Sequence, residues 1–172
     1  MEITYTTSAC RLGRLLVAST GKGICMIAVG KSDTEVERRL YDEFPDDAIE
    51  RNDRSMREVR KSVEDRIAGK GLHDKLPVDL HGTPFQLAVW NEMLRIPPGS
   101  TRSYGEVAKR IGRPKAFRAV AQACGANPVS IVVPCHRVIA SGGALGGYTG
   151  GLDRKLALLA SEGVSSPKWK AD

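Results

Sequence analysis

Apolar residues near the N-terminus occur in short runs that turn-forming residues separate. The runs occupy positions 3–7, 15–18 and 24–29, and Gly21 and Gly23 lie just before the third. Short runs rich in β-branched residues and bounded by glycine are typical of strands joined by tight turns. The pattern therefore predicts an antiparallel meander.

The next forty residues change to helical spacing. Val36, Leu40 and Phe44 recur at every fourth position after Asp33, which we expect to cap a helix. A second helical face, ending at Gly69, consists of Met56, Val59, Val63 and Ile67. We expect both helices to cover one face of the sheet.

A turn-rich stretch at positions 76–82 interrupts these patterns and carries Pro77 and His81. Such stretches are typical of domain boundaries. We expect an N-terminal α+β domain over 1–80, a mostly helical C-terminal domain over 81–165 and a tail over 166–172.

Two capping boxes mark helix starts in the second half. Thr83 and Gln86 form the first, with Pro84 at the first helical position, and Ser103 and Glu106 form the second. The inward face predicted for the first of these helices consists of Phe85, Val89, Trp90 and Met93.

The helix that follows Ser103 is paired with another. A turn at 112–114 separates it from a helix predicted over about 115–124, which stops at Gly125. Two short helices about a glycine turn, with cations on the exposed side, predict a helix-turn-helix.

The charge distribution changes this picture. The chain has 26 Lys and Arg against 20 Asp and Glu, a net charge of +6. Seven cations and one carboxylate lie between positions 102 and 137, so this segment accounts for the whole surplus. The cations are Arg102, Lys109, Arg110, Arg113, Lys115, Arg118 and Arg137. A charge run can be a solvated face, but its coincidence with a helix-turn-helix favours a DNA partner.

The remaining composition restricts the class of protein. The four cysteines include no CxxC pair, so we expect free thiols and no structural zinc. No apolar run approaches the roughly 20 residues of a membrane-spanning helix, and the first residues do not resemble a signal peptide. We expect a cytoplasmic monomer without a cofactor and without membrane association.

The segment 127–138 carries the candidate chemistry. Its β-branched residues predict a strand that delivers Cys135 and His136 just past its end. Neighbouring side chains of an extended chain point apart. A water molecule or a bent backbone must therefore connect the two if His136 activates Cys135.

This segment resembles the O6-alkylguanine-DNA alkyltransferase family, whose active-site signature is matched at 134–138. Further matches are Ser103-Tyr104, the segment 114–120, Asn127-Pro128 and Gly147-Tyr148. The resemblance runs from about Tyr5 to Gly163. It is particularly clear for the C-terminal alkyltransferase half of bacterial Ada proteins. No part of the sequence resembles the regulatory zinc domain of those proteins. The resemblance implies a ribonuclease-H-like fold for the N-terminal domain.

The resemblance also implies the chemistry. Cys135 would accept the alkyl group of O6-alkylguanine in a single turnover, and O4-alkylthymine is a further candidate substrate. His136 would take the thiol proton through a water, with Glu162 orienting the imidazole. Tyr104 would hydrogen-bond the guanine and help to protonate the departing base, while Asn127 would brace the segment before the cysteine.

Double-stranded DNA that carries O6-alkylguanine is the implied partner. Arg118 would enter the base stack in place of the flipped nucleotide, from a recognition helix docked in the minor groove. The other predicted DNA contacts are Arg102, Arg113, Lys115 and Ala119. The glycine-rich run 141–151 would wall the base pocket, whose predicted residues are Val138, Tyr148, Thr149 and Gly150.

Three other classes of protein compete with this interpretation. A non-catalytic alkyltransferase-like protein shares the fold but replaces the cysteine, so Cys135 argues against it. A simple helix-turn-helix regulator would not need the motif at 134–137, and a Cys-His-Glu hydrolase would turn over many times.

Overall fold

The computed structural model describes residues 1–169, in which the predicted α+β organisation is confirmed. One compact unit consists of Met1–Leu80 together with Pro128–Ser130, and the other consists of His81–Asn127 together with the chain from Ile131 onward. No helix within the described residues is both long enough and apolar enough to cross a membrane.

The first unit is built on a sheet with strand order β3-β2-β1-β4. Its strands are β1 (Glu2–Cys10), β2 (Gly13–Thr20), β3 (Gly23–Gly30) and β4 (Ala48–Arg51). The first three form the predicted antiparallel meander, whereas β4 pairs parallel to β1 and was not predicted. Its four residues are mostly exposed, so they carry no apolar pattern that would have revealed a strand.

Two helices, α1 (Asp33–Glu43) and α2 (Arg57–Ile67), contact this sheet at the predicted positions. Asp33, however, is not the cap. The side chain of Ser32 accepts the hydrogen bond from the Glu35 backbone at 3.2 Å, while Asp33 forms an ion pair with Arg14 at 2.8 Å. A serine hydroxyl is an equally good N-cap, and it lies one residue earlier.

The second unit is mostly helical. Its elements are α3 (Pro84–Met93), β5 (Arg102–Ser103), α4 (Tyr104–Arg110), α5 (Phe117–Gly125), a 3₁₀ turn (Cys135–Arg137), β6 (Val138–Ile139), a second 3₁₀ turn (Ser141–Gly143) and α6 (Leu152–Ser161). Both predicted capping boxes are present, at Thr83 with Gln86 and at Ser103 with Glu106. Two short strands, β5 and β6, pair in parallel.

Helices α4 and α5 form the predicted helix-turn-helix, and α3 packs against both. The buried Trp90 Nε1–H donates to the Ala123 carbonyl at 2.8 Å and so ties α3 to α5. Phe85, predicted to face inward, is only half-buried, and the Arg113 guanidinium lies 5.7 Å from its ring centroid. Helix α5 begins two residues later than predicted, because the turn extends through Lys115 and Ala116 is the N-cap.

The prediction of a strand before Cys135 is wrong. Residues 128–133 form consecutive turns, with one isolated bridge between Val129 and Ile27. Ile131 has a φ of 77°, a left-handed conformation that is unusual for a β-branched residue. Ile131, Val132 and Val133 are all buried, so their apolar character reflects burial and not a strand.

The predicted tail is partly described. Lys168 Nζ donates to the Gly142 carbonyl at 2.7 Å, and Trp169 Nε1–H donates to the Gly143 carbonyl at 2.8 Å. Residues 170–172 of the predicted tail lie outside the described part of the chain. The first part of the tail is therefore hydrogen-bonded to the glycine-rich run.

Candidate active site

The nucleophile predicted from the sequence lies in a cavity of the second unit. Cys135 opens the 3₁₀ turn that follows Pro134, and only 6% of it is exposed. The cavity measures about 390 Å³. Its walls are Tyr104, Ala121, Cys124, Gly125, Cys135, Gly147, Tyr148 and Thr149. Helices α4 and α5 and the glycine-rich run therefore enclose the thiol.

Burial determines the protonation state of the Cys135 thiol. Desolvation raises its pKa, and hydrogen bonds with the side chains of Asn127 and Tyr148 only partly oppose that effect. Asn127 is itself held in place, because its amide donates to the Val133 carbonyl at 2.8 Å. The thiol is thus protonated at neutral pH and needs a base when it attacks.

His136 is the candidate for that base. Cys135 and His136 both lie in the 3₁₀ turn, so the backbone between them is bent and not extended as predicted. The ring is 1% exposed, and its Nε2 lies 2.9 Å from Glu162 Oε1. Burial lowers the His136 pKa despite the neighbouring carboxylate, so the imidazole is neutral and can accept a proton.

The tautomer of His136 follows from its partner. Burial by itself would raise the pKa of Glu162, but hydrogen bonds from His136 and Arg137 bring it down to about 2. An ionised carboxylate can only accept, so Nε2 carries the hydrogen and Nδ1 is the free acceptor. Within residues 1–169, Nδ1 of His136 is buried without a hydrogen-bond partner.

Arg137 completes the cluster and corrects one expectation. Its side chain binds both oxygens of Glu162, at 2.6 and 2.9 Å, and also donates to the Ile96 carbonyl at 2.7 Å. Only 4% of Arg137 is exposed. Arg137 therefore does not belong to the cationic surface in which the charge count had placed it.

Sequence reasoning missed Lys155. This residue is fully buried, and its ammonium group donates to the carbonyls of Val138, Leu145 and Gly147 at 2.8, 2.7 and 3.0 Å. Burial lowers its pKa to about 8. Helical spacing is the signal that could have revealed its burial. Lys155 lies three positions before Leu158, and so it falls on the apolar face of α6.

The glycine-rich run lies close against Tyr104. Gly146 has a φ of 75°, and a Cβ there would lie 2.9 Å from the Tyr104 hydroxyl, so this position requires glycine. The Tyr104 hydroxyl donates to the Gly147 carbonyl at 3.5 Å, and Thr149 Oγ1 donates to the Gly125 carbonyl at 2.9 Å. These contacts fix one wall of the cavity.

Two residues predicted for the pocket do not line it. Val138 is fully buried in β6, where its carbonyl accepts from Lys155. Gly150 is exposed, and a Cβ there would lie 3.1 Å from the Tyr148 ring. Neither is among the residues that form the cavity surface.

The predicted DNA contacts lie around the helix-turn-helix. Arg113 and Lys115 are exposed in the turn, and Arg118 is exposed in the first turn of α5. Ala119 and Arg102 are half-buried, the latter in β5. Within the described chain, no group of three or more His, Cys, Asp or Glu side chains is arranged to hold a metal ion.

Comparison with known proteins places both halves of the chain in one family. Residues 3–80 match the 6-O-methylguanine DNA methyltransferase ribonuclease-like domain, and residues 84–164 match the DNA binding domain of the same family. A crystal structure of the Mycobacterium tuberculosis O6-methylguanine methyltransferase superposes with a TM-score of 0.77 at 35% identity, covering 99% of this chain and 96% of that one. The same organism's protein in complex with DNA gives a TM-score of 0.75 at 36% identity, covering 93% of each chain.

Curated relatives agree. The chain is 41% identical to the bifunctional transcriptional activator/DNA repair enzyme Ada of Escherichia coli over 94% of its own length and 46% of that protein, so it spans about half of Ada. It is also 41% identical to the methylated-DNA–protein-cysteine methyltransferase of Methanosarcina acetivorans, over 88% of this chain and 93% of that one. The resemblance expected from the motifs is confirmed: this chain belongs to the 6-O-methylguanine DNA methyltransferase family.

Proposed function

We propose that this protein repairs DNA by moving the alkyl group of O6-alkylguanine onto Sγ of Cys135, once per molecule. The observation that carries the proposal is the buried Cys135 thiol, which lies in a cavity of about 390 Å³ beside the His136–Glu162 pair. That volume is within the usual range for pockets that bind small molecules. An extruded base would present its O6-alkyl carbon to the sulfur.

The reaction forms one bond and breaks another. Sγ of Cys135 attacks the alkyl carbon, and the bond between that carbon and O6 breaks. The thiol proton passes to Nδ1 of His136, through a water as the resemblance implies, and the carboxylate of Glu162 stabilises the resulting imidazolium. The electron pair of the broken bond stays on the purine, which takes up a proton.

Tyrosine and asparagine side chains prepare the two ends of this displacement. Asn127 and Tyr148 hydrogen-bond the sulfur, so they favour the thiolate as it forms. We assign to Tyr104, in the cavity wall, the donation of a proton or hydrogen bond to the departing guanine. The product is a thioether, which offers water no carbonyl carbon, so each molecule reacts once.

DNA binding is assigned to the helix-turn-helix. Arg118 would occupy the gap left by the extruded nucleotide, while Arg102, Arg113, Lys115 and Ala119 contact the duplex. The cations among these residues would contact mainly phosphates, and phosphate contacts carry little sequence information. Weak sequence preference suits a repair protein, because a lesion can occur beside any base. We assign this surface and the active site to a domain over 81–165, and the ribonuclease-like fold to 1–80. The protein would act in the cytoplasm as a monomer.

Transfer of a labelled methyl group tests this function. Duplex DNA with labelled O6-methylguanine should leave one label per protein on Cys135, and Cys135→Ser should abolish labelling while duplex binding persists. Cys124→Ser is the matched control, because it removes the other thiol of the same cavity. Multiple turnovers would indicate a hydrolase, and binding without transfer would indicate the non-catalytic alternative.

A further inference from the structure

The first residue of α5 is an aromatic side chain that the fold leaves in solvent. Phe117 is 49% exposed, and the Arg118 guanidinium lies 6.0 Å from the centroid of its ring. A large exposed aromatic side chain gains free energy when a binding partner covers it. Phe117 contributes little to the core of its own unit and is therefore available to a partner.

Helix geometry places Phe117 one turn away from the cavity wall. Phe117 and Ala121 are four residues apart, so they lie on the same face of α5, about 6 Å apart along its axis. Ala121 lines the cavity that contains Cys135, and so does Gly125, one turn further on. The same helix face thus leads from the exposed ring to the nucleophile.

The surroundings of Phe117 are cationic. Arg113 and Lys115 are exposed in the preceding turn, and Arg118 is exposed next to the ring. A flat apolar surface among cations complements a ligand that combines an anionic backbone with flat apolar faces. Nucleic acid has both features, since phosphates attract the cations and bases stack on aromatic rings.

We propose that Phe117 contacts DNA and packs against the base that loses its stacking neighbour when the target guanine enters the cavity. This inference rests on the proposed function and adds a residue that determines the preference for lesions in duplex DNA. Arg118 occupies the gap with a charged group, and the ring of Phe117 covers an adjacent apolar base face. Together they favour the extruded state of the lesion.

Substitution of Phe117 tests the inference with two measurements. Duplex affinity is measured in a Cys135→Ser background, which binds without reacting, and methyl transfer is measured with Cys135 intact. Phe117→Ala should weaken duplex binding and slow duplex repair about tenfold, within the range for loss of aromatic stacking on a base. Phe117→Trp should restore both.

Salt dependence separates this contact from a phosphate contact. Phe117→Ala removes no charge, so the slope of log affinity against log salt should stay as it is, whereas Lys115→Ala, which removes an exposed cation assigned to the phosphate backbone, should flatten it. Tyr41→Ala is the matched control, because Tyr41 is also 49% exposed but lies on α1 in the first unit. It should leave duplex binding unchanged.

Two results would overturn the inference. One is unchanged duplex affinity in Phe117→Ala. The other is an equal loss of rate on duplex DNA and on free O6-methylguanine base, which would mean that Phe117 acts on the cavity. Failure of the proposed function looks different: the unaltered protein would then leave Cys135 unlabelled, while duplex binding in the Cys135→Ser background would still decide the role of Phe117.

Discussion

Replacing Glu162 by glutamine isolates the charge that the active-site cluster requires. The side chain is 3% exposed and is shared by His136 and Arg137. Its pKa falls from an ordinary 4.5 to about 2. Since each pKa unit corresponds to about 1.4 kcal/mol, the ionised carboxylate stabilises the folded state by about 3 kcal/mol. Glu162→Gln should lose about that much at pH 7, because it leaves the buried Arg137 without a counter-charge.

The pH dependence of this loss follows from the direction of the shift. The folded-state pKa of Glu162 lies below its ordinary value, so the stabilisation is full above pH 4.5 and is lost as the pH falls towards 2. The stability difference between the unaltered protein and Glu162→Gln should therefore shrink from about 3 kcal/mol at pH 7 to about 1 kcal/mol at pH 3.

Urea unfolding at the two pH values measures this difference. Asp153→Asn is the control, because it removes an exposed carboxylate from the same unit and should show only a small difference at either pH. Methyl transfer by Glu162→Gln should slow by about 100-fold or more, since His136 loses the group that fixes its tautomer. A stability difference that is the same at both pH values, or transfer at the normal rate, would refute the reasoning.

Three further substitutions test other parts of the site. Arg118→Ala should slow repair of duplex DNA but spare the free base, whereas Arg95→Ala, an exposed cation outside the helix-turn-helix, should affect neither; equal losses on both substrates would count against base-stack insertion. Lys155→Met should destabilise the fold by about 2 kcal/mol or more in urea unfolding, because buried carbonyls lose their donor; unchanged stability would show that those carbonyls find other donors. O6-benzylguanine should inactivate the unaltered protein, whereas Gly150→Trp should keep its methyl-transfer activity, because a side chain at this position displaces the Tyr148 ring. If the unaltered protein stays fully active after prolonged exposure to O6-benzylguanine, the pocket does not admit a benzyl group.

Local signals in the sequence predicted the helices well. The capping boxes at Ser103 and Thr83 were confirmed because a cap involves residues only three positions apart. Strand β4 and the turns at 128–133 were not predicted. Both depend on partners distant in the chain, and an apolar run does not distinguish a strand from a buried turn.

The sequence by itself determined the α+β organisation, the helix-turn-helix and the presence of Cys135 and His136 as neighbours in a recognisable motif. Only the tertiary structure decided what surrounds them. It buried Arg137 against Glu162 and turned Lys155 into a donor for three carbonyls. The physical reason is that residue type alone predicts an exposed position for a charged side chain. Such a side chain is buried only where distant segments of the chain supply hydrogen-bond acceptors for it. Residue type and spacing do not record which segments those are.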